Sequence, residues 1–150
     1  MSSIKEETTM FDTSYGLHVT LAKGTKFDEA VEQVKVAFKS QGFGLPPGTT
    51  NLDMAGIFKK KGFDFDCPNF RILGFCSPPH AFKVISTEKS AGLLVPCNVV
   101  IASSPEDERI EVAAVEPYAL IGILKNKDTL KSVVDEVRAG IQKALRALVK

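Results

Sequence analysis

Leu130, Val133, Val134, Val137, Ile141, Leu145 and Leu148 recur on one helical face along the end of the chain. The pattern lasts about six turns, or roughly 30 Å of helix. A stripe of that length has to be buried against something equally long and apolar. Phe27, Ala30, Val31, Val34 and Phe38 mark a second amphipathic helix over Phe27–Gln41, with Thr25 and Asp28 as an expected capping pair and Gly42 as its stop. Two such stripes need a common surface, and the strand-like segments supply it.

Tyr15, Leu17, Val19 and Leu21 alternate with Gly16, His18 and Thr20, the period of a half-buried strand. Leu52–Lys59 reads as a second strand and Phe70–Phe75 as a third; Val99–Ala102 and Arg109–Val115 follow, joined by the polar turn SSPEDE. Pro46, Pro47 and Gly48 exclude regular structure before the second strand. Ser77-Pro78 announces a short helix with Ala81, Phe82 and Ile85 on its apolar face, and Tyr118–Leu124 reads as a buried helix or irregular segment. Strands in pairs with helices between them predict an α+β fold: one mainly antiparallel sheet of four to five strands, two long helices packed on one face. Residues 1–13 are expected to be a mobile polar lead-in, and 14–150 a single domain.

A net charge of +1 leaves no electrostatic footprint for nucleic acid, and no apolar run reaches the length of a membrane span. The three cysteines are irregularly spaced, which fits reduced thiols in the cytoplasm better than a disulfide framework. Few helices leave a sheet face or edge uncovered, so a homodimer is expected.

The candidate chemistry centres on Cys76 in RILGFCSPPH and Cys97 in GLLVPCNVVI. With Ser77 capping a helix, Cys76 lies beside unpaired backbone N–H groups, which favour a thiolate or a bound anion. The competing reading is packing: Cys76 shares the parity of Phe70 and Ile72, Cys97 that of Val99 and Ile101. If the two converge they form a dithiol, and its oxidation would close a loop of about twenty residues, worth roughly 3 kcal/mol. His80, Asn98, Lys60 and Lys61 join Ser77 as candidate ligand-binding residues around that site. Cys67, before Pro68, is expected to be exposed and unrelated. No spacing supports a metal site, and neither phosphate-loop pattern that would hold a nucleotide cofactor is present. GFCSP is similar to a nucleophile elbow, but Pro78 stands at the second glycine and the base would have to be His80 or His18, so a hydrolase is not favoured.

KKG, FRILGFCSPPHA, GLLVPCNVV and VEP together resemble the domain of unknown function 302 family, from about Tyr15 to Leu148. The resemblance implies a TATA-binding-protein-like α+β fold and no particular reaction. Cys76 and Cys97 both match the family's cysteine motifs, and only these two carry over as site positions. Ser77 replaces a common asparagine, Phe70 a usual tyrosine, and Glu116 a usual aspartate that would be the better cap. DNA binding does not transfer with the fold. These residues point to a small anionic or electrophilic ligand, or to thiol redox chemistry, at Cys76 and Cys97; the alternative is a non-catalytic homodimeric module with both cysteines in its core.

Overall fold

The computed structural model describes residues 9–149. Most of the expected lead-in, residues 1–8, lies outside the described residues; in its remaining part, Met10 N–H donates to the Glu111 carboxylate. Elements follow in the order β1 (Gly16–Thr20), α1 (Phe27–Ser40), β2 (Asn51–Asp53), α2 (Met54–Lys60) and β3 (Phe70–Phe75). Then come α3 (Pro78–Thr87), a 3-10 segment (Lys89–Leu94), β4 (Cys97–Ser103), β5 (Ile110–Val115), α4 (Pro117–Ile121) and α5 (Lys127–Ala147). The five strands form one sheet in the order β1-β5-β4-β3-β2, and every neighbouring pair is antiparallel. This is the α+β architecture that the hydrophobic periods require.

The register explains which face is buried. Leu73 lies opposite Val99, and Ile101 opposite Val112, so these side chains share one face. Phe75, Ala114, Leu17 and Val19 share it too, and α1 and α5 close over it with Val34, Phe38, Ile141 and Leu145. Phe38 stacks on Phe75 with ring centroids 4.7 Å apart. Each such fully buried side chain contributes about 1.5–3 kcal/mol relative to exposure. On the opposite face, rings of Phe58, Phe65 and Phe70 pack in series at 5.0 and 5.6 Å and cover part of the sheet.

Four local expectations need correction. The second strand stops at Asp53, and Met54–Lys60 is a helix. Asp53 Oδ1 accepts from Gly56 N–H at 3.0 Å, an N-cap that outweighs the strand pattern of a short apolar run. Thr25 does not cap α1: its hydroxyl donates to the Ala22 carbonyl at 2.6 Å, and Lys26 holds the N-cap position. On β3 the buried parity is that of Leu73 and Phe75, not that of Phe70 and Ile72, which are only half-buried. Cys67 is buried rather than exposed, its sulfur 3.9 Å from that of Met10.

Candidate functional site

Cys76 follows the last residue of β3, where the strand leaves the sheet and exchanges two backbone hydrogen bonds with Gly44, both 2.9 Å. Cys97 opens β4 directly opposite Phe75. Both cysteines line one cavity of about 100 Å³ at this end of the sheet. Its lining comes from Phe43 and Phe75, from α3 and the 3-10 segment, and from α4 and α5. The lining is apolar except for the two thiols, Ser77 and His80.

Burial, with a smaller contribution from the neighbouring Cys76, pushes the Cys97 thiol up to about 11. Cys97 is therefore a protonated thiol at neutral pH. All three cysteines are free. Burial, reinforced by Asp66 and Glu111, also raises Cys67, which stands apart from the cavity.

Ser77 does hold the N-cap position of α3, but its hydroxyl makes no bond to the helix backbone. Instead Ser77 Oγ lies 2.6 Å from His80 Nδ1, and His80 Nε2 lies 2.9 Å from Glu136 Oε2 on α5. The expected anion-friendly helix start is weakened by its own sequence. Pro78 and Pro79 carry no N–H, and Ala81 N–H is already bonded to the Ser77 carbonyl.

Lys60 and Lys61 are not among the lining residues. They end α2, where their charges suit the negative end of the helix, and Gly62 at φ +80° turns the chain as the C-terminal stop. Asn98 is exposed and points to the sheet face opposite Cys97, as strand alternation demands. Two residues had no sequence signal linking them to the site. Glu136 reaches His80 across 56 positions, and Arg138 grips Glu116 with bonds of 2.7 and 3.1 Å. Glu116 also accepts from Tyr118 N–H, so the longer acid caps α4 after all while tying it to α5. Arg138 lies 4.5 Å over the Tyr118 ring, and the Tyr118 hydroxyl donates to Asp135 at 2.7 Å, completing a clamp that holds one cavity wall.

The family described as "Domain of unknown function DUF302" matches residues 17–148. The chain belongs to that family. A crystal structure of an uncharacterized conserved DUF302 protein from Bacillus stearothermophilus is similar, with a TM-score of 0.78 and 21% identity. The match covers 91% of this chain and 99% of that one, and at such identity it speaks for the fold alone. No curated protein matches the chain. Among the described residues, no helix of this DUF302 member is long and apolar enough to cross a membrane.

Proposed function

We propose that this DUF302 protein binds a small, mainly apolar molecule with an electrophilic head in the cavity at the end of the sheet, and that Cys76 is the group that meets the head. The observation that carries this reading is the presence of both cysteines on the wall of one apolar cavity. Cavities of about 150 Å³ with such linings take up benzene, so about 100 Å³ accommodates a shorter chain. Thiol–disulfide exchange is the redox form of the same reading: Cys76 attacks a small-molecule disulfide, and Cys97 resolves the mixed disulfide after losing its proton. Such chemistry fits a reducing compartment, the cytoplasm.

Alkylation of native protein with N-ethylmaleimide, read by peptide mass spectrometry, tests the proposal. Cys76 should react first. Cys97 should lag and accelerate about tenfold per pH unit until near its value of about 11. Saturation with 1-propanol, a chain short enough for the cavity, should slow both. If Cys76 stays unmodified until global unfolding, the two cysteines are packing residues and the proposal fails.

A second reading, a homodimeric module, is favoured by the outer sheet face. Leu52 is 42% exposed there, and Ile72 and Val100 are only half-buried. Sedimentation with a single monomeric species at tens of micromolar, an order of magnitude chosen for weak association, would rule it out.

A further inference from the structure

The hydrogen-bonded chain at the mouth of the cavity has a directionality that the thiol reading does not use. The Glu136 carboxylate can only accept, so His80 Nε2 carries the proton in their 2.9 Å contact. In the neutral imidazole, Nδ1 is then the acceptor, and the Ser77 hydroxyl donates to it at 2.6 Å. A serine hydroxyl donating to a histidine that a carboxylate orients is the arrangement of an activated nucleophile, recognised by geometry and not by chain order. Ser77 and His80 both line the cavity in which an acyl group would lie. At the helix N-terminus the same hydroxyl could have capped the His80 backbone N–H, and it does not.

We propose that Ser77, His80 and Glu136 form an acyl-transfer site, in which Ser77 takes the acyl group of a short-chain ester or thioester whose apolar tail occupies the cavity. Ser77 Oγ attacks the carbonyl carbon while its proton passes to His80 Nδ1. The tetrahedral intermediate collapses, the bond to the leaving alcohol or thiol breaks, and that group takes the proton from His80. Water, deprotonated by His80 in turn, attacks the serine ester; the bond to Ser77 Oγ breaks, Oγ takes the proton back from His80, and the carboxylic acid leaves. Glu136 is a positioning residue that holds the imidazole in the required tautomer. Its side chain is 69% exposed, so its contribution is screened and modest. Pro78 and Pro79 remove two N–H groups that would otherwise be near the developing oxyanion, which makes the reaction slow and best observed as an acyl adduct.

This inference rests on the cavity reading for its choice of acyl chain, and one experiment separates the two. Native protein is treated with p-nitrophenyl acetate, butyrate and octanoate, and the adduct is located by peptide mass spectrometry. The expected result is acylation of Ser77, fastest with butyrate and absent in Ser77→Ala. His80→Gln should slow it by about 100-fold or more. Glu136→Gln should slow it by about several-fold, and Glu136→Asp should restore part of the lost rate. A purely structural role for Glu136 would leave the two variants equal. Adduct on Cys76 or on lysines, or equal release of nitrophenol by Ser77→Ala with its circular dichroism unchanged, overturns the relay. Acylation of Ser77 without dependence on chain length would uphold the relay and overturn the cavity as its acyl pocket.

Discussion

Where Ile141, Ala144 and Leu145 of α5 meet α1 and the sheet, the surrounding side chains are buried and aromatic rings interlock. Where Leu130, Val133 and Val134 of the same helix meet α3, α4 and the 3-10 segment, the second core cluster is small and a cavity remains beside it. The backing differs. The first region rests on continuous strands whose alternate side chains project into it, the second on short elements at the strand ends. α3 contributes no fully buried side chain at all, and Phe82 is 75% exposed. A single helix thus joins a stability-bearing end to an end with room for a ligand, and local opening should be easiest at the latter.

Truncation should separate the two ends most sharply. Phe38→Ala removes a fully buried ring stacked on Phe75 and should cost about 3–5 kcal/mol in urea unfolding. If it costs no more than Val134→Ala at the cavity end, the contrast between the regions is wrong.

Gly140→Ala probes the junction, because an added Cβ would lie 2.8 Å from the Phe43 ring, and Phe43 belongs both to the core and to the cavity lining. Overpacking costs about 1–3 kcal/mol, and the gain in helix propensity is about 1 kcal/mol. A net loss of about 1 kcal/mol is expected by thermal or urea unfolding. A gain in stability would mean that the ring slips into the cavity without resistance and that the two regions share one deformable wall.

Filling the cavity should have the opposite sign. Ala81→Leu adds apolar volume to a lining position and should stabilise by about 0.5–2 kcal/mol while slowing alkylation of Cys97. Faster alkylation would show that α3 has been pushed off rather than packed.

The smallest effect concerns the clamp on α4. Burial alone would raise Glu116, but the Arg138 hydrogen bonds and the Tyr118 N–H outweigh it and hold its carboxyl below the ordinary value. A lowered folded value means that the stabilisation is present above the unfolded carboxyl range and is lost as pH falls through the folded value. Arg138→Leu should therefore lower Tm at pH 7, and the gap to the parent protein should close in acid below the ordinary glutamate range. A gap that is constant with pH would assign the effect to packing of Arg138 on Tyr118 instead.

The hydrophobic periods by themselves determined the long helices, four of the five strand positions and the side of β4 that is buried, because amphipathic spacing records which face must leave water. They also placed Cys97 on the core parity of Val99 and Ile101, while the Ser77-Pro78 signature marked the start of a helix. The family motifs singled out both cysteines. Short segments were less legible: Asp53 decided between strand and helix through one hydrogen bond, where period alone was ambiguous. Only the tertiary structure decided the site itself. Strand register sets Cys97 opposite Phe75, and the exit of the chain at Gly44 turns Cys76 toward the same cavity. It also brings Glu136 to His80 across 56 positions and Arg138 to the buried Glu116 across 22, and no local pattern announces either contact. Burial leaves a periodic trace along the chain; a hydrogen bond between distant polar side chains leaves none.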